Sequence, residues 1–515
     1  MADIEIIKGA DNGNPPDTLR QMYPKVNRNF QRINTELTGH INSILAHKAE
    51  YIAYTGQVPG GDVKEAIDNV NGRISEIVAQ SGDDITELVD ARGVYSVLRD
   101  RLDASDMQMN ERIKKGDLVV NVLDFGAVGD GTTDDTVAFQ NAIDHCIDTG
   151  RALLIPANTK SYLIGDLIID QAITIRGEGK GRPVILAKEN TLNLFTLRSR
   201  DIIIETLHID MSQSTNPLSS AFYFDTVNCP VFYEVQLNNT EVWNAYCAIK
   251  DGNSTGVIVN TYIDHFTCYK GRGTQIKIND SQGFTYFTKT SVDFTTNTNT
   301  VNFPGWVISN ASGLILNDCD TLGHGTGVSE LANGFEFNNC TAVWFNRVMC
   351  DYLGNVGIKI NNSHYMYLND IVTSICLGGG IEINNSTNIK GGVINTGGTK
   401  GQSYGIDNKN GIILNAVNGF NVSNIHTYNN TKDGLEFTNC SRVNVGVMQS
   451  VDNKGYGFRE NHTAIGTSVA NIFGTCITAG NTAGNAVLVS PYTFITSIIL
   501  DSGLAEFQSA GPVTL

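Results

Sequence analysis

The chain has 515 residues, of which 17% are charged and 52 are glycine, and its formal net charge at pH 7 is −17. This length exceeds what one compact hydrophobic core usually serves, so we expect a multi-domain or elongated protein with many short strands joined by turns. The excess of acidic residues argues against nucleic acid as a partner, because that affinity rests on Lys and Arg displacing counterions.

The first 115 residues are predicted to be helical. Between Thr18 and Leu45 apolar residues recur at steps of three and four, which indicates a helix with one narrow apolar seam. Such a seam suits a short coiled coil, and an ordinary amphipathic helix is the alternative. We therefore expect an attachment region with a coiled-coil-like helix over residues 1–50 and a helical connector over residues 51–115.

The segment His47–Gly93, with HKAEYIAYTG, DVKEAIDNVNGRI and DDITELVDARG, resembles the N-terminal connector of tail fibres and tail-associated proteins from phages of Gram-positive bacteria. The resemblance implies a virion protein, a tail or neck appendage that binds tail or collar proteins through its N-terminus. The sequence does not open on a basic stretch followed by an apolar one, and it nowhere reaches roughly 18 consecutive apolar residues. We expect no signal peptide, no membrane span and synthesis in the host cytoplasm.

Residues Val119–Cys146 indicate a strand, a Gly-rich turn and a helix that Asp134 or Thr133 is expected to N-cap. The stretch VVNVLDFGAVGDGTTDDTVAFQNAIDHC closely resembles the opening signature of the pectate-lyase/polygalacturonase superfamily, which includes many phage tailspikes. The resemblance implies a right-handed parallel β-helix whose N-terminal end is covered by the short helix. Asp130 and Asp135 are expected to serve this cap and not a metal.

A repeat in the second half of the chain points to the same fold independently. Glycines followed by an apolar strand pattern stand 21, 23, 23, 31, 23 and 23 residues apart, at Gly313, Gly334, Gly357, Gly380, Gly411, Gly434 and Gly457. A period near 23 predicts a solenoid whose coils stack on one another. The predicted fold is mainly β, a right-handed parallel β-helix of the pectin-lyase-like kind over residues 116–500, with a tail over residues 501–515 and an insertion near residues 396–410.

Residues at one position of the repeat are predicted to form columns along the solenoid. The fourth place after glycine predicts a ladder of hydrogen-bonded amides at a left-handed corner, and it holds Asn317, Asn338, Asn361, Asn384, Asn415, Thr438 and Asn461. The sixth place holds small residues that should point inward, among them Cys319, Cys340 and Cys440. Because no CxxC pair occurs, we expect the ten cysteines to be reduced and mostly buried.

One set of candidate catalytic residues lies in the second place after glycine, on the outward side. Glu336, Glu382 and Glu436 stand two coils apart, about 9–10 Å by strand spacing. Their carboxyls could reach the separation of about 6.5–9.5 Å that inverting glycosidases use. Asp407, in the insertion, would join them in a groove. The residues expected to contact the substrate are Tyr404, Lys359 and Lys409. The alternative is a solvated ladder of alternating charges.

A second candidate set lies in NDCDTLGHGTG, where Asp318, Asp320 and His324 match in type the paired aspartates and Gly-His-Gly of polygalacturonases. That family spreads these residues over successive coils, so a chance similarity in a turn rich in Gly and Asp is the alternative. Arg347 and Asp370 share a column on adjacent coils and are predicted to form a salt bridge. Outward aromatic residues that could stack on sugar rings are Trp243, Tyr262, Tyr269, Trp344, Tyr365 and Tyr367.

The resemblance to tailspikes implies a homotrimeric phage tailspike or appendage that binds and depolymerises a host surface glycopolymer, either wall teichoic acid or capsule. We expect hydrolysis in preference to a lyase reaction, with no metal and no cofactor. Two alternatives stay open: a receptor-binding tail fibre without catalysis, and a secreted bacterial enzyme of the pectinase-like kind. Carboxylates clustered in a groove favour the depolymerase, whereas dispersed acids beside aromatics and Asn favour the fibre.

Overall fold

The computed structural model describes residues 27–39, 41–42, 69–73, 75–76, 119–157, 160–179, 181–252, 257–295, 302–323, 333–398, 409–461, 471–488, 493–500 and 507–509. The chain divides into two units, Met1–Glu111 and Arg112–Leu515, each described by itself.

In the first unit, residues 27–39 and 41–42 are helical. They carry part of the predicted apolar seam, and its members Phe30, Ile33 and Leu37 are more than half exposed. Residues 69–73 and 75–76 are also helical, and the rest of the predicted connector lies outside the described residues. The helical residues described contain no segment that is long and apolar enough to cross a membrane.

The second unit is a stack of parallel strands in two main sheets, and it confirms the predicted parallel β-helix. The long-strand sheet contains 19 strands. They are Val119–Asn121, Ala152–Pro156, Ser161–Ile164, Ile173–Glu178, Val184–Ala187, Ile202–Glu205, His208–Asp210, Gln236–Trp243, Tyr262–Tyr269, Gln282–Thr288, Ser291–Asp293, Ser312–Leu322, Thr341–Asp351, His364–Ser374, Thr387–Gly397, Asn418–Tyr428, Ser441–Val451, Asn471–Ala479 and Thr493–Leu500.

The short-strand sheet contains 14 strands. They are Leu167–Ile169, Asn193–Leu197, Ser220–Phe224, Ile249–Asp251, Ile276–Ile278, Trp306–Ser309, Phe335–Asn338, Val356–Asn361, Gly379–Asn384, Ile412–Asn415, Leu435–Thr438, Tyr456–Asn461, Gly484–Leu488 and Phe507–Ser509. A small third sheet pairs Val231–Tyr233 with Val257–Val259. In the short strands buried apolar residues alternate with outward ones, which is why the sequence shows period 2.

The predicted asparagine ladder is present along the short-strand sheet. The Nδ2 of Asn361 donates to Oδ1 of Asn338 at 2.9 Å, and Asn384 donates to Asn361 at 2.9 Å. Asn415 continues the ladder at 2.8 Å. The predicted corner conformation is wrong by one place, because the left-handed residue is the next one along the chain, as at Asn339 with φ of 56°. Each ladder bond contributes about 1 kcal/mol.

The first member of the predicted repeat belongs to a different column. Gly313 lies in a long strand, and the residue that pairs with Asn338 on the preceding turn is Ser309. Asn317 instead accepts a hydrogen bond from Asn346 at 2.9 Å, in a second ladder on the long-strand sheet. The turns in this stretch are longer than 23 residues, so the sequence alignment put two different sheets in one column.

The column of small residues points inward, as predicted. Ser363 is fully buried, and its Oγ accepts from the amide of Cys340 at 3.0 Å and donates to the carbonyl of Asn361 at 2.8 Å. All ten cysteines are free, and every one except Cys229 is buried. Burial raises the pKa of Cys340 to about 11, so this thiol stays protonated and unreactive at neutral pH.

A short helix covers the N-terminal end of the stack. The helical segments are Val122–Phe125, a 3-10 helix, and Thr136–Thr149, an α-helix. Phe139 and Ile143 of the α-helix are fully buried. The predicted N-cap is wrong, because the N-cap position falls to Asp135 and not to Asp134 or Thr133. The Asp135 carboxylate accepts from two amides of the Gly-rich turn, at 2.7 and 3.0 Å, and thereby fastens that turn to the helix.

Candidate functional site

The later long strands bend near their middle. At Asp318, Arg347 and Asp370 the backbone φ is 53°, 54° and 56°, so one left-handed residue separates each strand into a first and a second half. Arg347 lies 2.7 Å from Asp318 of the preceding turn, which replaces the salt bridge predicted with Asp370. The outward side chains of the two halves therefore form two adjoining surfaces.

Three aspartates project from the second halves on three consecutive turns, and we term Asp293, Asp320 and Asp351 the acid patch. Asp293 and Asp351 each pair in register with Leu322, so these two aspartates share one column two turns apart. Asp320 precedes Leu322 by two residues on the turn between them. The strand geometry puts its Cα about 8 Å from the Cα of each of the other two.

Two carboxyls of the acid patch are shifted towards the protonated form. Burial, with a smaller contribution from the charge of Asp293, raises the pKa of Asp320 to about 6, although the hydroxyl of Ser291 hydrogen-bonds its Oδ1. Burial also raises the pKa of Asp351, whose Oδ1 is buried and has no hydrogen-bond partner among the described residues. A carboxyl that keeps its proton near neutral pH can act as a general acid.

The third carboxyl has different surroundings. Oδ1 of Asp293 accepts from the backbone amide of Thr295 at 2.7 Å and from its hydroxyl at 2.6 Å. Both donors reach the same oxygen, which leaves Oδ2 to accept a proton from a bound molecule. A proton donor and a proton acceptor separated by about 6.5–9.5 Å are the pair that inverting hydrolysis of a glycoside requires.

Aromatic rings border the acid patch on the preceding turns. Trp243 and Tyr269 occupy the column of Asp293, and their ring centroids lie 4.9 Å apart. The ring of His208 stacks on Trp243 at 5.5 Å, and Nζ of Lys270 lies 5.4 Å from the Trp243 centroid. Partly exposed rings of this kind provide the flat apolar surface on which sugar rings stack.

A second set of rings follows the first halves of the strands. Tyr262 stacks on Tyr286 at 4.9 Å, and Trp344 stacks on Tyr367 at 5.0 Å, both pairs within 2° of parallel. Phe284 lies 6.2 Å from Tyr286 and from Trp344 and joins the two pairs. These five rings, which we term the aromatic stripe, run about 19 Å along the stack by the strand spacing. Tyr262 is 40% exposed and Phe284 48%, so the stripe is accessible.

The predicted glutamates lie on the outward side of the short-strand sheet and are hydrogen-bonded there. Asparagine amides donate to Glu336 at 3.2 Å and to Glu382 and Glu436 at 2.8 Å. Lys359 lies 3.4 Å from Glu382, and Arg459 lies 3.3 Å from Glu436. This arrangement fits the alternative of a compensated charge ladder, and a catalytic role for these glutamates stays a prediction.

The structure separates the members of the second predicted set. Asp320 belongs to the acid patch, whereas Asp318 pairs with Arg347 at the strand bend. Lys409 is exposed. Outside the described residues lie His324, Tyr404 and Asp407. The suggested groove of the insertion beside the glutamates therefore stays a prediction.

Sequence reasoning missed Asp293 and Asp351. They stand 29 residues before and after Leu322, so they meet only if the local period is 29 and not 23. Strand ends compared at that longer period would have revealed the pair. The acid patch is thus assembled by the lengths of the connections between strands.

The stacked parallel strands define a protein of the parallel β-helix class. Residues 119–390, more than half of the chain, match the family described as rhamnogalacturonase A/epimerase, pectate lyase-like. The chain therefore belongs to that family, which confirms the superfamily resemblance of its entry segment.

Individual relatives match more weakly. The tail spike protein of Shigella phage Sf6 is 33% identical over 114 residues, which cover 20% of this chain and 18% of that protein. Tailspike protein 3 of bacteriophage CBA120 is similar in structure with a TM-score of 0.43 and 14% identity, covering 82% of this chain and 64% of that one. PfbA, a surface adhesin of Streptococcus pneumoniae, gives 0.42 and 13% identity, covering 74% and 91%.

Proposed function

We propose that this chain is a phage tail appendage that binds a glycan of the bacterial surface and hydrolyses it at the acid patch. The observation that carries the proposal is the half-buried Asp320, whose pKa is raised to about 6 between two further carboxyls on the neighbouring turns. Carboxyls of unequal protonation beside exposed rings are what a glycoside hydrolase needs. The short match to a tail spike protein supports the virion setting.

In the proposed reaction Asp320 is the general acid. It donates its proton to the glycosidic oxygen while the bond between that oxygen and the anomeric carbon breaks. Asp293 accepts a proton from a water molecule, whose oxygen forms the new bond to the anomeric carbon. Two shorter saccharides leave, and proton exchange with solvent restores both carboxyls. The separation of about 8 Å favours this single displacement with inversion.

The wider assembly follows from the sequence. We infer that residues 1–50 attach the chain to tail or collar proteins, residues 51–115 connect, residues 116–500 form the solenoid and residues 501–515 form a tail. Three copies would associate through the N-terminal seam, and avidity would strengthen weak glycan contacts. The glycan would be wall teichoic acid or capsule of the host.

The test is chain shortening of purified host surface polymer by the full-length protein and by Asp320→Asn. We expect the variant to lose at least about 100-fold in rate, the size of a general-acid contribution. Asp370→Asn is the matched control, because Asp370 is exposed and its left-handed backbone tolerates asparagine. Cleavage by Asp320→Asn at the rate of this control would contradict the proposal.

The earlier glutamate hypothesis is tested in the same assay. Glu382→Gln and Glu436→Gln should cleave at the rate of the unchanged protein if the acid patch is the active site. Loss of cleavage in either variant, with Asp320→Asn active, would move the site to the short-strand sheet.

A receptor-binding fibre without catalysis is the second candidate, and the aromatic stripe favours it. Rings along about 19 Å can hold a polymer without any carboxyl taking part. This function predicts retention of polymer by the unchanged protein with no shortening after long incubation. A secreted pectinase-like enzyme would cleave plant pectin in preference to the bacterial polymer.

A further inference from the structure

A cleft of about 500 Å³ opens on the outward side of the short-strand sheet. Tyr223, Lys250 and Lys277 line its floor on three consecutive turns and pair in register. Leu218 and Tyr246 belong to its walls. This surface lies on a different sheet from the acid patch, and the proposed reaction uses none of these residues.

Contacts within the chain build the walls in advance. The guanidinium of Arg272 lies 4.2 Å from the Tyr246 ring centroid and donates at 2.7 and 2.8 Å to two carbonyls of the segment that leads to Leu218. Gly252 borders the floor, and a Cβ there would stand only 2.9 Å from the hydroxyl of Tyr223. Glycine at this position therefore leaves the tyrosine in place and the cleft open.

The paired lysines are the unusual feature of the cleft. Nζ of Lys250 donates to the carbonyl of Leu218 and lies 5.4 Å from the Tyr223 ring centroid. Within the described residues neither lysine has a carboxylate oxygen within 4.0 Å. Asp251, which also lines the cleft, turns its Oδ2 to two backbone amides of the next turn, at 2.7 and 3.1 Å. Burial and the charge of Lys277 lower the pKa of Lys250.

Like charges paired in register on neighbouring strands destabilise a sheet. Further along the same column the charges alternate, and Lys359 lies between Glu336 and Glu382, 3.4 Å from the latter. The pair Lys250 and Lys277 lacks this compensation although the whole chain carries a net charge of −17. An anion that enters the cleft from outside would remove the repulsion.

We propose that this cleft binds an acidic saccharide unit, with its carboxylate or phosphate group held by Lys250 and Lys277 and its ring packed against Tyr223 or Tyr246. Both anions offer the oxygen acceptors that form charge-assisted hydrogen bonds with ammonium groups. Tyrosine rings beside them provide the apolar surface that a sugar ring covers. The site goes beyond the proposed function, because it binds a saccharide on another sheet and requires no cleavage.

The experiment measures binding to the full-length protein by calorimetry with three probes: trigalacturonic acid, neutral galactotriose and galactose 6-phosphate. We expect at least one acidic probe to bind about ten-fold more tightly than galactotriose, the effect of one charge-assisted hydrogen bond. The stronger acidic probe identifies the anion. Lys250→Gln and Lys277→Gln should each remove about ten-fold of that affinity. Lys454→Gln, at an exposed lysine on the turn before Tyr456–Asn461, is the control of equal charge change.

Lys277 is exposed, so Lys277→Gln is expected to fold, and its unfolding midpoint should not fall because a repulsion is lost. The proposal is overturned if the unchanged protein binds neither acidic probe better than galactotriose. It is also overturned if both lysine variants bind like Lys454→Gln. Asp320→Asn should bind the acidic probe normally, so failure of the cleft and failure of the acid patch are distinguishable.

Discussion

Replacement of Asp320 by asparagine should increase stability while it abolishes cleavage. The folded protein raises the pKa of this carboxyl from 3.8 to about 6, so between these values the native state binds more protons than the unfolded state. Stability therefore falls as pH rises through this window, and the penalty is fully present above it. The difference corresponds to at most about 3 kcal/mol, and about 1–2 kcal/mol is expected after solvent screening at a partly exposed group.

Asparagine keeps the Oδ1 that Ser291 hydrogen-bonds and removes the charge. We expect Asp320→Asn to be more stable than the unchanged protein by about 1–2 kcal/mol at about pH 8, and equal to it at about pH 4, where the wild-type carboxyl is neutral. Denaturant unfolding followed by tryptophan fluorescence at both pH values measures the two differences. Asp370→Asn controls for the loss of one negative charge on the surface. A stability difference that does not change with pH would refute the assignment of a raised pKa to Asp320.

Three further outcomes can be measured. Asn361→Ala should lower the free energy of unfolding by about 1–3 kcal/mol because two ladder bonds are lost, whereas Asn385→Gly, at an exposed left-handed residue, should change it little. Trp344→Ala should weaken polymer binding about 2- to 10-fold without a change in the rate of cleavage at saturating polymer, and an unaltered affinity would remove the aromatic stripe from the binding surface. A thiol reagent should label no more than one cysteine of the folded protein, and Cys229→Ser should remove that label; labelling of several thiols before unfolding would contradict the buried column.

The sequence predicted the solenoid because each turn repeats the same local requirements. An apolar residue must point inward at every second position, a small residue must fill the tight inward corner as at Ser363, and an asparagine such as Asn361 must bond the same residue on the turns above and below. These requirements recur at a fixed spacing wherever the connections have equal length. They are therefore visible as a period in one dimension.

The contents of the acid patch were decided by the tertiary structure. Neighbouring side chains on a solenoid are set by the hydrogen-bond register between turns, and a longer connection shifts that register without leaving a mark in the strands themselves. A period of 23 placed Gly313 in the wrong column, and only the paired strands show that Asp293, Leu322 and Asp351 are in register at 29. The protonation of Asp320 depends on this meeting, because burial and the charge of Asp293 exist only once the turns are stacked.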